Sequence, residues 1–219
     1  MMVPLQIGRM WRGPSRLLAI GAHPDDIEIG CAGTILKLIE QAAVSDVCWV
    51  VLSGDGERAD EARRSAEALL EGVPRSEVVV RDFPDGFFPY AGQRIKEFFE
   101  DLKTDFSPDM VFTHQRADLH QDHRVSCELT WNTFRDHLIL EYEVPKYDGD
   151  MSAPNTFVPL DEQLLRRKLD HLMSYFGSQL SKRWFSEELF SSVLRLRGME
   201  CNSPSSYAEA FFCRKAVLA

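Results

Sequence analysis

The chain is poor in what nucleic-acid binding, membrane insertion and disulfide scaffolding require. Its 25 Lys and Arg are outnumbered by 34 Asp and Glu, giving a net charge of −9. It therefore lacks the basic balance that nucleic acid or an acidic membrane surface favours. Five cysteines, Cys31, Cys48, Cys127, Cys201 and Cys213, are scattered, odd in number and without a CxxC pair. That pattern excludes a disulfide framework and a thiolate zinc motif, and leaves reduced thiols in a cytoplasmic protein as the expectation. No apolar run approaches the roughly twenty residues of a membrane span, and Arg9, Arg12 and Pro14 interrupt the stretch where a signal-peptide core would lie. Repeats, low-complexity tracts and long linkers are missing too. With 44% hydrophobic and 27% charged residues, the expectation is a leader at 1–15 followed by one globular domain, 16–219.

Periodicity supplies the architecture. The continuous apolar run Leu17–Gly21 reads as a buried parallel strand, and Ile27–Gln41 as a helix in which Gly30 and Gly33 permit close packing. Strands at Asp46–Leu52, Val78–Val80 and Met110–Thr113 alternate with helices at Asp60–Leu70 and Gln93–Lys103. Parallel neighbours require crossover helices, so this order predicts an α/β, Rossmann-like three-layer sandwich with a mostly parallel sheet. A helix at Arg124–Arg135, a strand at Leu138–Val144, an irregular rim at Lys146–Pro159 and helices at Asp161–Phe176 and Trp184–Leu196 follow. Tyr207–Cys213 fits either strand or helix.

Two clusters carry chemistry. His23-Pro24-Asp25-Asp26 follows the first strand, and Asp118-Leu119-His120-Gln121-Asp122-His123 follows the fourth. Both therefore fall at the carboxyl edge of one sheet, where ligands bind in such folds. Alone, Asp25 or Asp26 reads equally well as a helix cap. The second cluster changes the balance, because charges at that density repel unless something cationic compensates. A divalent metal does so, with His23, Asp26 and one of the two later histidines as ligands. Asp25 would then stand beside the metal-bound water, and the other histidine would serve the leaving group or the oxyanion. A dinucleotide site is the rival for this fold, but Gly-x-Gly-x-x-Gly is absent and the carboxylates would repel a pyrophosphate.

These motifs resemble the PIG-L/LmbE-like zinc-dependent deacetylases. The likeness extends through Gly30-Cys31-Ala32-Gly33-Thr34, Arg64-x-x-Glu67, Phe83-Pro84-Asp85-Gly86, Gly177-Ser178-Gln179 and Tyr207-Ala208-Glu209-Ala210-Phe211. Ile27 and Ala32 depart from the family's common residues without removing a ligand. The resemblance implies metal ligands His23, Asp26 and His123, with zinc or ferrous iron as the metal. It implies Asp25 as general base, a protonated His120 as acid or oxyanion stabiliser, and Asp122 as the partner orienting His120. Arg64 and Asp85 would contact the sugar; the competing readings are an Arg64–Glu67 helix pair and an Asp85 turn. The implied partner is a small amino-sugar substrate, without nucleic acid or membrane insertion and with self-association left open. The implied reaction is hydrolysis of an N-acetylglucosamine-type amide. A glucosaminyl-thiol amidase and a non-catalytic sugar-binding module are the alternatives.

Lesser candidates are read more plainly. His114 ends a strand near the site without holding metal, and His137 and His171 are surface or packing residues. Phe87, Phe88 and Tyr90 form a packing plug, while Trp184 and Phe185 belong to a helix core. Tyr142, Tyr147 and Asn155 are candidates for the entrance.

Overall fold

The computed structural model describes residues 13–217. Residues 1–12 of the expected leader lie outside the described residues, and Ser15 already belongs to β1 (Ser15–Gly21). The order continues with α1 (Asp26–Glu40), β2 (Val44–Val51), α2 (Gly56–Leu69), β3 (Arg75–Val80), α3 (Phe88–Asp105), β4 (Met110–His114), α4 (Gln121–Thr133) and β5 (Leu138–Tyr142). It closes with β6 (Thr156–Pro159), α5 (Glu162–Tyr175), α6 (Glu187–Glu200) and β7 (Ala208–Cys213). The seven strands form one sheet in the order β3-β2-β1-β4-β5-β7-β6. The first five strands run parallel, while β7 pairs antiparallel with both β5 and β6.

The apolar strands are continuous because both sheet faces are covered. Leu17 and Ala19 of β1 enter one core with Val47, Trp49 and Val51 of β2, beneath α1, α2, α5 and α6. Leu18 and Ile20 enter the other with Cys48 and Val50, beneath α3 and the α4 region. This is the expected three-layer sandwich. A Cβ on Gly30 would lie 2.2 Å from the Tyr142 ring, so only glycine lets α1 sit this close to β5. All five cysteines are free. No helix among the described residues is long and apolar enough to cross a membrane.

Strand order reverses between β1 and β4, the neighbours whose connections leave to opposite faces. A crevice opens at such a switch point. It receives the loop after β1 and the loop after β4, hence both His/Asp clusters. Several boundaries differ from expectation. Helix α2 starts four residues early, at Gly56, and α3 five residues early, at Phe88, with Pro89 accommodated in its first turn. Thr156–Pro159 is a strand inside the expected irregular rim, and Tyr207–Cys213 resolves mostly as strand.

Candidate metal centre

The turn after β1 is tied by its own carboxylate: Asp26 Oδ2 accepts the His23 backbone N–H at 2.6 Å. Asp25 occupies the N-cap position of α1, yet its side chain makes no capping bond. The helix-capping reading therefore accounts for neither carboxylate. After β4, Asp118 Oδ1 accepts the His120 N–H at 2.8 Å and Asp118 Oδ2 meets His123 Nδ1 at 2.9 Å. That second bond keeps the His123 proton on Nδ1 and turns the Nε2 lone pair towards Asp26.

His23, Asp26 and His123 converge. His23 Nδ1 lies 3.2 Å from His123 Nε2 and 3.3 Å from Asp26 Oδ2, and His123 Nε2 lies 3.5 Å from Asp26 Oδ1. A tetrahedral zinc with bonds of about 2.0–2.1 Å has donor–donor edges of about 3.3–3.4 Å. The His23–His123 edge matches that length, and Asp26 meets the pair with a different oxygen on each side, so its carboxylate can close the set around a divalent cation. Donor groups within 4.8 Å of one another include His23–His120–His123, Asp26–His114–His123 and His23–Asp85–Asp122; His23 and His123 each belong to two of these sets, and Asp26 shares one with His123.

The electrostatics point the same way. Burial depresses His23, but Asp26, Asp122 and Asp85 overcome it and hold the imidazole well above its ordinary pKa. The surrounding carboxylates thus demand positive charge at this spot, which a cation would supply. Burial raises Asp26, but His123, His114 and His23 hold it well below the usual carboxylate range. Burial and His114 lower His123 to about 4, leaving it neutral and able to act as a ligand. Asp25 behaves oppositely: burial, aided by Asp26, lifts it to about 7 against the pull of Arg58. Its Oδ2 has no hydrogen-bond partner.

His114, read from the sequence as a bystander, is fully buried in this cluster. It stacks on His123 with ring centres 3.8 Å apart, its Nε2 accepts the Ala22 N–H at 3.0 Å, and the same nitrogen lies 3.2 Å from Asp26. A histidine ending a strand gave no sequence signal of this stacking. His120 caps α4, its Nδ1 accepting the Asp122 N–H at 3.3 Å. Burial and His23 lower its pKa, so the ring is neutral with its proton on Nε2, contrary to the expected imidazolium. Asp122 also departs from expectation. Its carboxylate accepts N–H bonds from Gly86 (2.6 Å) and Phe88 (3.1 Å) and faces His23 Nε2 at 3.3 Å, instead of orienting His120. It positions His23 and the Asp85 turn, where Gly86 takes a φ of 80°.

Asp85 reaches the site, with Oδ1 3.1 Å from His23 Nε2. Arg64 does not. It is exposed and does not line the cavity. Arg58, six residues earlier, stands there instead, 3.6 Å from Asp25 and 3.7 Å from Asp85. Helix α2 meets the crevice by its first turn, and six further residues carry Arg64 about 9 Å along the axis and onto another face. The same spacing, Arg58-x-x-Glu61, was available in the sequence; Glu61 is buried and accepts from Ser178. These groups surround a cavity of about 300 Å³. Tyr147 and Trp184 line it as well, Trp184 from the turn before α6 and not from a helix core, whereas Phe185 is core. Tyr142 is wholly buried, its hydroxyl donating to the Ile20 carbonyl at 2.6 Å.

The model of the PIG-L family, described as GlcNAc-PI de-N-acetylase, matches residues 18–134. The chain belongs to this family. An uncharacterized deacetylase of Escherichia coli is 28% identical over 170 residues, covering 73% of the chain and 89% of the relative. A diacetylchitobiose deacetylase of Thermococcus kodakarensis is 30% identical over 139 residues, covering 54% of the chain and 49% of the relative. Among solved structures, the 4-carboxy-2-hydroxymuconate hydratase of Pseudomonas putida KT2440 superposes with a TM-score of 0.72 at 17% identity, covering 94% and 98% of the two chains. The fold thus houses more than one reaction, and the site must decide between them.

Proposed function

We propose that this chain is a zinc-dependent N-deacetylase that hydrolyses the acetamide of an N-acetylglucosamine-type sugar, releasing acetate and the free amine. One observation carries the reading: His23, Asp26 and His123 converge at donor spacings of 3.2–3.5 Å, with the partnerless Asp25 Oδ2 beside them. The named deacetylases among the relatives support the same reaction. Ferrous iron suits the same donors. The five free cysteines accord with a reducing, cytoplasmic setting for this reaction.

When bound, the metal supplies Lewis acidity, lowering the pKa of water and polarising the amide carbonyl. Asp25 accepts the proton of the attacking water; its buried Oδ2, without a hydrogen-bond partner, is free to take it. His120, neutral and with its Nε2–H free of the helix cap, donates towards the developing oxyanion, as a preorganised dipole should. As the C–N bond breaks, the proton held by Asp25 passes to the leaving nitrogen. Asp118 and Asp122 hold His123 and His23 in register, and Arg58 with Asp85 presents donors and an acceptor to sugar hydroxyls. Metal-loaded protein incubated with N-acetylglucosamine and its conjugates should release acetate and amine in equal amounts. Release of neither from any acetamido sugar overturns the assignment.

A further inference from the structure

The catalytic residues occupy only the inner wall of the cavity. Its outer wall comes from the β5–β6 connection, with Tyr147 and Asp148, and from the α5–α6 connection, with Lys182 and Trp184. All four lie beyond residue 134, where the family match ends.

Both connections are anchored. Lys146 is clamped between Asp118 and Asp150, and Asp150 Oδ2 accepts the Leu119 N–H at 2.7 Å. Ser178 binds Glu61 through its backbone N–H at 2.9 Å and through its hydroxyl, and Lys182 and Phe185 continue that turn through backbone bonds of 2.9 and 3.0 Å. Trp184 is backed edge-on by Phe185 at 5.5 Å. Tyr147 lines the cavity while remaining 78% exposed, so its ring face is open to a ligand that enters there.

We propose that Tyr147 and Trp184, with Asp148 and Lys182, form a subsite for a second pyranose ring, so that the preferred substrate is an acetamido sugar within a disaccharide or longer glycan. This rests on the deacetylase reading. A pyranose offers an apolar C–H face to an aromatic ring and a rim of hydroxyls to charged side chains. The charges are mixed, Lys182 against Asp148 and Asp85, with Lys146 and Arg58 already paired to carboxylates, which suits a neutral polyol. A phosphate would meet both carboxylates, and an alkyl chain would strip water from three charges without replacing it.

The test compares kcat/KM of metal-loaded enzyme on N-acetylglucosamine, N,N'-diacetylchitobiose, N-acetylglucosamine 1-phosphate and an octyl N-acetylglucosaminide. The disaccharide should exceed the monosaccharide by about tenfold or more, as one stacked ring supplies. Tyr147→Ala should cut the disaccharide-to-monosaccharide ratio by about tenfold, and Trp184→Leu likewise; Trp184→Phe, which preserves packing, should restore most of it. Equal turnover of mono- and disaccharide overturns the subsite, as does a preference for the phosphate or the octyl glycoside. If no compound is hydrolysed, the deacetylase reading fails, and calorimetry then judges the subsite separately. Tighter binding of the disaccharide that Tyr147→Ala abolishes supports it, and indifferent binding overturns it.

Discussion

Replacing Asp118 by Asn should strip the metal by moving one proton. Asp118 is fully buried, and its two oxygens have different duties. Oδ1 receives the His120 N–H at 2.8 Å and the Lys146 ammonium at 3.0 Å, while Oδ2 receives His123 Nδ1–H at 2.9 Å. An asparagine must turn its oxygen towards the first pair, both obligate donors. Its NH2 then faces His123 Nδ1, which can meet it only as an acceptor. The imidazole proton shifts to Nε2, the atom whose lone pair the metal needs. Loss of such an outer partner typically lowers metal affinity about 10- to 100-fold, or about 1.4–2.7 kcal/mol. Competition against a chromogenic chelator measures the affinity, and imidazole 15N shifts report the tautomer in metal-free protein. Unchanged affinity with the proton still on Nδ1 would refute the reasoning; a folded variant with weak binding and an Nε2–H ring would bear it out.

Asp25→Asn should keep the metal and lose about 10²–10⁴-fold in kcat, checked by metal analysis beside acetate release. Asp26→Asn should show the reverse order, with metal lost first. Because Asp25 must be ionised to act, kcat/KM should rise with pH in an initial-rate profile as its proton leaves; without metal the carboxyl is lifted to about 7. The same shift has a stability sign. A folded-state pKa above the unfolded one gives stability that is present at low pH and is lost as pH rises through about 7. Metal-free Asp25→Asn should therefore melt at a higher temperature than metal-free wild type at pH 8, with the gap closing towards pH 4 in calorimetric scans. Arg58→Ala should raise KM for acetamido sugars at least about fivefold, whereas exposed Arg64→Ala should leave it unchanged; inverted results would restore the first reading of the motif.

What the sequence disclosed and what it withheld have physical reasons. Buried parallel strands are apolar on both faces, so β1, β2 and β4 stood out, and the clusters after β1 and β4 fell at one sheet edge by topology alone. Helix phase was harder. Arg58-x-x-Glu61 and Arg64-x-x-Glu67 share a spacing, and only the start of α2 at Gly56 decides which arginine reaches the crevice. The partners of Asp122 were hidden because they are backbone amides of Gly86 and Phe88, a bond type that leaves no residue signature. Trp184 was misread because its aromatic run with Phe185 was joined to α6, although Ser186 followed by Glu187 and Glu188 marks the helix start.

The central claim is a metal centre at His23, Asp26 and His123 that hydrolyses an acetamide. Its most direct test is a titration of metal-free protein with Zn²⁺ while acetate release from an acetamido sugar is followed. Activity should rise linearly to saturation at one high-affinity ion per chain, and His123→Ala should neither bind that ion nor gain activity. Hydrolysis that persists without metal, or one tightly held ion in a folded His123→Ala protein, would contradict the account.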